Sequence, residues 1–236
     1  MAQSTVTVII PAYNEEKTVG SVLSETSSIM DNLGLPYEII LVDDGSTDKT
    51  GLIASSQKVI LLSNNENHGK GYCLRRALKT AHGNIIVTMD SDGEHRPKEI
   101  PDLVNQVLSG VDVVSGSRFL GTSSDVTAKI NRLGNSFFNL AIMLLTGKPV
   151  TDSQTGFRAI KKEIIDELNL KSDGYEIETE ITMKSLMNGF ICKELPITCQ
   201  RRKHSASKVR ILYDGAKILK AIVRASTLRI GNASER

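Results

Sequence analysis

The sequence predicts an α/β protein built on a mostly parallel sheet covered by helices. Three observations carry this expectation. Short apolar runs rich in Val and Ile alternate with helix-length amphipathic segments from Val6 to Val114. Polar clusters follow directly on three of those runs. The 236 residues are 40% hydrophobic, enough to bury one substantial core.

The elements follow in order. Val6–Ile10 reads as the first strand and Glu16–Leu33 as the helix after it. Glu38–Val42 is a second strand, with a short helix at Thr47–Ser56. Val59–Leu62 is a third, followed by a helix from Lys70 to Ala81 that stops at Gly83. Ile85–Met89 is a fourth strand; a helix at Pro97–Leu108 ends at Gly110 and leads to a strand at Val111–Val114. Alternation of this length implies parallel pairing with both sheet faces covered. Ligands of such sheets sit beyond the carboxyl ends of the strands. Pro11–Glu15, Asp43-Asp44 and Asp90–Glu94 are therefore expected on one rim.

The second half is less regular. Asn131–Thr146 predicts a helix with a wide apolar face, and "TDSQTGFRAI" a polar loop entering a strand or turn at Phe157–Ile160. Lys162–Leu168 and Glu178–Met187 read as helices, Glu194–Cys199 as a short strand, and "QRRKHSASKVR" as a basic loop. Val209–Ala225 predicts an amphipathic helix, with Val209, Leu212, Ala216, Leu219 and Val223 on one face and Lys217, Lys220 and Arg224 off it. Residues 1–208 are thus expected to form the main domain, and 209–236 a C-terminal amphipathic helix and tail. That helix suits either packing on the core or lying in a bilayer interface.

Composition excludes several classes. A net charge of +2 gives no bulk basic character, and no nucleic-acid partner is expected. Three cysteines without a C-x-x-C pair argue against a disulfide framework or zinc site and for a reducing, cytoplasmic setting. "MAQSTVTVII" lacks a basic segment ahead of a long apolar one, and "FFNLAIMLL" is far short of the roughly 20 residues of a spanning helix. The expectation is a chain that crosses no membrane but is able to lie on one.

Three segments carry candidate chemistry. "PAYNEE" is not the glycine-rich dinucleotide turn; Tyr13 suits stacking on a flat ring and Glu15 hydrogen bonds from a base or ribose, or else Asn14 simply caps the next helix. In "VDDGST" one carboxylate suits a ribose hydroxyl or base N–H, or the pair serves turn and capping chemistry. In "DSDGEH", Asp90, Asp92 and Glu94 crowd one strand end, where like charges repel unless a cation joins them. Oxygen ligands suit Mg²⁺ or Mn²⁺, with diphosphate oxygens completing the shell. His95 is either a further ligand or a packing residue.

"PAYNEE", "VDDGSTD", "HGKG" and "MDSDGEH", in this order, resemble a family 2 glycosyltransferase of the GT-A (Rossmann-like) fold. "SGSR", "DSQTGFRAI", "GYEIETE" and "RKHSASKV" are similar to the soluble-domain pattern of dolichyl-phosphate mannose synthases and related UDP-sugar enzymes. The resemblance runs to about residue 210 and is specific in combination. It implies that Pro11, Tyr13, Glu15, Asp43 and Asp90 line the nucleotide pocket, and that Asp90, Asp92 and Glu94 hold the metal and diphosphate. It implies that Arg118, Arg132, Asn135, Ser136, Arg202 and Lys208 bind the acceptor phosphate, with Asp92, Arg118 and Arg132 the catalytic set. Two departures stand out: Glu94 where the family commonly has Gln, and Ser205 where the acceptor loop has Gly. Glu180 matches an acidic position without an assigned role.

The implied reaction moves a sugar from a nucleoside-diphosphate sugar, with GDP-mannose the first choice, to dolichyl or polyprenyl phosphate, with inversion. UDP-glucose or UDP-N-acetylglucosamine stands second, because "NHGKGYCLRRAL" also resembles a glucosyl branch. A saccharide acceptor is a further alternative; it needs a carboxylate base, for which Glu178 or Glu180 offers itself. A non-catalytic membrane-docking module is the last. The implied setting is the cytoplasmic face of a membrane, as a peripheral protein, with or without a separate membrane subunit.

Overall fold

The computed structural model describes residues 5–121, 127–199 and 211–233, the side chains of 127–133, 211–212 and 227–233 excepted. Seven strands form one sheet in the order β3-β2-β1-β4-β6-β5-β7. They are β1 (Val6–Ala12), β2 (Tyr37–Asp43), β3 (Ile60–Ser63), β4 (Ile85–Thr88), β5 (Val113–Ser117), β6 (Arg158–Lys161) and β7 (Cys192–Pro196). The helices are α1 (Val19–Leu33), α2 (Thr50–Ser55), α3 (Lys70–Leu78), α4 (Ile100–Leu108), α5 (Thr127–Thr146), α6 (Lys162–Glu167), α7 (Ile177–Met187) and α8 (Ile211–Ala233). A 3-10 turn at Pro97–Glu99 leads into α4.

The alternation in the first half produces the parallel pairs β1–β2, β2–β3 and β1–β4. Side chains alternate across β1 with the strand period of two. Val8 and Ile10 pack with Leu23, Met30, Leu103 and Val104 on one face, while Ile9 packs with Leu74, Ile164 and Ile181 on the other. Both faces are therefore covered, as the apolar runs demand.

One strand departs from the parallel rule. β6 inserts between β4 and β5 and runs antiparallel to both. The alternation signal stops at β5, so its direction was not legible. Arg158, the first residue of β6, pairs with Thr88 at the carboxyl end of β4. The polar loop 151–157 is consequently delivered onto the same rim as the three predicted clusters.

α8 packs against α5 and α7 rather than standing alone. Ile218, Ile222 and Ala225 form a third apolar cluster with Ile142, Met183 and Leu186. The predicted apolar face is not the buried one: Leu219 and Val223 are exposed, and Val209 lies outside the described residues. Apolar residues on more than one side of the helix let packing select the 218/222/225 stripe. α5 likewise buries Ile142 but exposes Phe137, Leu140, Met143, Leu144 and Leu145. No helix among the described residues is long and apolar enough to cross a membrane.

Candidate functional site

The carboxyl ends of β1, β2 and β4 are tied together by their own loops. The Asp44 N–H donates to the Ala12 carbonyl at 2.8 Å, and Ser91 Oγ donates to the Pro11 carbonyl at 2.9 Å. Asn14 is not a helix cap. It adopts φ 51°, a left-handed conformation Asn tolerates, and its Oδ1 accepts the Thr47 N–H at 2.8 Å. Glu15 is buried; its N–H donates to Thr50 Oγ1 and its carboxylate accepts the Thr18 hydroxyl at 3.2 Å. Pro11, Tyr13, Glu15 and Asp43 thus share one rim with Asp90 and Asp92.

The two adjacent aspartates divide their work. Asp44 is buried and accepts from Asn64 Nδ2 at 2.6 Å, the His68 N–H at 3.0 Å and the Gly69 N–H at 2.8 Å. It organises the loop that starts α3. Asp43 accepts the Ser46 N–H at 3.1 Å. Beside this loop a polar cleft of about 480 Å³, lined by residues including His68, Tyr72 and Arg76, was not foreseen.

Behind the rim runs a chain of paired charges that strand and helix patterning does not reveal. Lys70 Nζ lies 2.5 Å from Asp90 Oδ1 and 2.9 Å from Glu178 Oε1. Glu178 Oε2 accepts from Arg158 Nε at 3.2 Å, and Arg158 also donates to Ser115 Oγ, Thr182 Oγ1 and the Ser153 carbonyl. Burial alone would lower the Lys70 pKa, but the Asp90 and Glu178 charges outweigh it and raise it. A Cβ at Gly156 would strike Lys70 Nζ and the Asp90 carboxylate, so any larger residue there must displace that pair. Glu178, named as a candidate base for a saccharide acceptor, is instead saturated by two cations. Glu180, the other, accepts the Lys171 and Ser172 N–H groups and pairs with Lys184 at 2.6 Å. It is a structural clasp for the 171–174 loop.

The acidic segment turns tightly through Gly93, at φ +76°, with Asp92 Oδ1 accepting the Glu94 N–H at 2.9 Å. Among the described residues no three His, Cys, Asp or Glu side chains converge as a metal cage. The expected trio is therefore not a preformed three-carboxylate site: Asp90 leans to Lys70, while Asp92 is buried next to Glu94. The donor set is still hard oxygen, and Mg²⁺ commonly takes only one or two carboxylates plus substrate phosphates. The residues fit that mode. His95 is buried, stacked on Phe157 at 5.2 Å, and its Nδ1 accepts the Asp90 N–H at 3.4 Å. That is the packing reading.

Further along the rim, Arg118 follows β5 and makes a fork with Asp152. Nε is 2.7 Å from Oδ2 and Nη2 2.9 Å from Oδ1. Burial pushes the Asp152 carboxyl up, but Arg118 outweighs it and holds the pKa below the usual carboxylate value. Asn135 is buried and donates to Asp152 at 3.0 Å, while Ser136 is exposed. Arg132 lies on α5, its side chain outside the described residues, as are Arg202 and Lys208. Burial pushes the Cys73 thiol up and the Cys199 thiol up to about 12, so neither is a thiolate near neutrality.

The buried charges generate a stability prediction. Glu178→Ala strands the buried Arg158 charge and takes from Lys70 one of its two carboxylates, and should cost about 3–5 kcal/mol in urea unfolding. A cost below about 1 kcal/mol would contradict the network.

The glycosyl transferase family 2 model matches residues 7–168. An uncharacterized protein of Methanocaldococcus jannaschii is 36% identical over 219 residues, covering 90% of this chain and 88% of its own. The dolichyl-phosphate hexose transferase of Haloferax volcanii is 30% identical over 217 residues and 92% of both chains. The undecaprenyl-phosphate 4-deoxy-4-formamido-L-arabinose transferase of Edwardsiella ictaluri is 30% identical over 223 residues; the match covers 89% of this chain but 66% of that enzyme. Glucosyl-3-phosphoglycerate synthase from Mycobacterium tuberculosis, in complex with Mg²⁺ and uridine diphosphate, superposes with a TM-score of 0.76 at 23% identity over 95% of this chain and 80% of its own. That likeness fixes the GT-A fold. With the family match over most of its length, the chain belongs to glycosyl transferase family 2 and is a glycosyltransferase.

Proposed function

We propose that this enzyme transfers a hexose, with inversion, from a nucleoside-diphosphate sugar to the phosphate of a polyprenyl lipid at a membrane surface. The observation that carries the reading is the pairing of opposite charges across one rim. An acidic segment at Asp90, Asp92 and Glu94 follows β4, and the Arg118 guanidinium, forked to Asp152, follows β5; both strands run antiparallel to β6, so the two groups stand on the same rim. The relatives from Haloferax volcanii and Edwardsiella ictaluri, whose names specify dolichyl and undecaprenyl phosphate, support this acceptor class.

Pro11, Tyr13, Glu15 and Asp43 are assigned to the nucleoside, and Asp92 and Glu94, flanked by Asp90, to a divalent cation with the diphosphate. Mg²⁺ or Mn²⁺ bound there would offset charge growing on the leaving diphosphate. Arg118 and Arg132, with Arg202 and Lys208 from the basic loop, are assigned to the acceptor phosphate, whose anion they bring next to an anionic donor. The second ionisation of a phosphate monoester falls near pH 6. An ionised oxygen therefore attacks the anomeric carbon while the bond to the diphosphate oxygen breaks, and that oxygen keeps the electron pair. No protein base is required, in accord with Glu178 being held by Lys70 and Arg158. GDP-mannose is the first donor to test. A uridine donor is the second reading, favoured by the "NHGKGYCLRRAL" segment.

The exposed Phe137, Leu140 and Leu144 of α5 share a helical stripe, and exposed Lys220 and Arg224 of α8 supply cations on a neighbouring helix. An apolar stripe with flanking cations suits the interface of an anionic bilayer. The reading places the enzyme as a peripheral protein on the cytoplasmic face, and a separate membrane subunit is compatible with it.

Purified enzyme, supplied with Mg²⁺ or Mn²⁺ and dolichyl phosphate, should transfer sugar from one of GDP-mannose, UDP-glucose or UDP-N-acetylglucosamine. Asp92→Asn should lower kcat at least about 100-fold. Undiminished turnover in that variant or in excess chelator would refute the metal assignment. Separately, the protein should co-sediment with anionic vesicles, and Leu140→Glu with Leu144→Glu should release it by about tenfold or more; unchanged sedimentation would remove α5 from the interface.

A further inference from the structure

We propose that Asp152 is the positioning residue for the acceptor phosphate: one buried carboxylate fixes the Arg118 fork and ties it to α5, the helix that carries Arg132. The inference rests on the reading of Arg118 as a phosphate ligand and deepens it.

The geometry is specific. Asp152 is fully buried. Its Oδ2 accepts both Nε and the main-chain N–H of Arg118, at 2.7 and 3.1 Å. Its Oδ1 accepts Arg118 Nη2 at 2.9 Å and Asn135 Nδ2 at 3.0 Å. One carboxylate thus joins the end of β5 to α5, within a turn of Arg132. Asp152 is itself anchored. Its N–H and that of Thr151 donate to the Glu194 carboxylate at 2.9 and 2.8 Å, and the Thr151 hydroxyl meets Ser117 Oγ at 2.6 Å. Asn139 Nδ2 donates to the Thr151 carbonyl at 2.7 Å. The loop is pinned from β5, α5 and β7 together.

A carboxylate next to a phosphate-binding guanidinium at first looks counterproductive. A guanidinium carries five N–H donors, and the side-chain contacts to Asp152 use the Nε edge, so they do not exhaust the group. Arg118 is half-buried, and a guanidinium partly withdrawn from water is costly without a counter-charge before the ligand arrives. Asp152 supplies that charge and removes the rotamer freedom that binding would otherwise have to freeze. The opposite role is competition, in which Asp152 occupies the fork and the phosphate must displace it. The two roles differ in sign.

The test is steady-state transfer by the full-length enzyme with donor and lipid acceptor varied separately, together with calorimetric binding of a short-chain isoprenyl monophosphate. Asp152→Asn should raise the acceptor KM, and weaken the monophosphate, by about tenfold or more while leaving the donor KM within about twofold. In an Arg118→Ala background the same change should add nothing, because it acts through Arg118. An Arg118→Ala enzyme with unchanged acceptor KM would overturn the parent assignment of Arg118. An acceptor effect in Arg118→Ala without one in Asp152→Asn, an equal Asp152→Asn effect in both backgrounds, or tighter acceptor binding in Asp152→Asn would overturn only the role of Asp152. Should Asp152→Asn not fold, Glu194→Gln, which loosens the Asp152 anchor, should shift the acceptor KM in the same direction by less, and an unshifted KM would count against the proposal.

Discussion

Lys70 touches two carboxylates at once, and the shape of the site follows from that contact. Asp90, just beyond the carboxyl end of β4, is held through Lys70 to Glu178 and through Glu178 to Arg158. These four residues come from the end of β4, the first turn of α3, the first turn of α7 and the start of β6. Buried charges of this kind cost several kcal/mol each to desolvate, and they persist only when each is paired and hydrogen-bonded. Arg158 meets that demand with partners on three sides. The arrangement adds geometry rather than stability: an acidic rim exists because its repulsion is balanced from behind by two cations, Lys70, which is largely buried, and Arg158, which is fully so.

The antiparallel strand makes this possible. Had β6 run parallel, Arg158 and Gly156 would sit at the amino ends, far from Asp90. Running backwards, β6 starts at the rim and brings loop 151–157 with it. That loop then serves both halves of the site. Gly156 leaves room for Lys70 beside Asp90, and Asp152 grips Arg118. The Asp90 end and the Arg118 end of the rim are therefore held by residues four apart in one short loop. This economy explains why "TDSQTGFR" is so dense in small polar residues.

The sequence made the rim legible and left its support hidden. Strand ends followed by Asp, Asn and Glu identify themselves, because nothing in a core explains them. The β1–β4 framework was readable from alternation alone. The pairings that hold the rim were not, because Lys70, Arg158 and Glu178 lie far apart in the chain and their proximity depends on the direction of β6. Asp152 escaped for a related reason: an acid in a turn-rich loop looks like turn chemistry until its partners are seen, whereas for Asp44 the turn reading is the role its hydrogen bonds show. His95 was ambiguous by composition and resolved by its contact with Phe157. On α8, apolar residues lie on more than one side, so periodicity did not identify the stripe that packs against α7. The resemblance to family 2 glycosyltransferases identified the chemistry; the structure explains which of the matching residues face outward and which hold the others.

The account stands on a diphosphate seated against the acidic rim at Asp92 by a divalent cation. Diffraction from crystals grown with Mn²⁺ and guanosine or uridine diphosphate, collected at the manganese edge, tests it most directly. One anomalous peak within coordination distance of an Asp92 or Glu94 oxygen, bridged to the diphosphate, is the predicted result. A nucleotide whose diphosphate lies away from that segment, or a peak on carboxylates elsewhere, would contradict it.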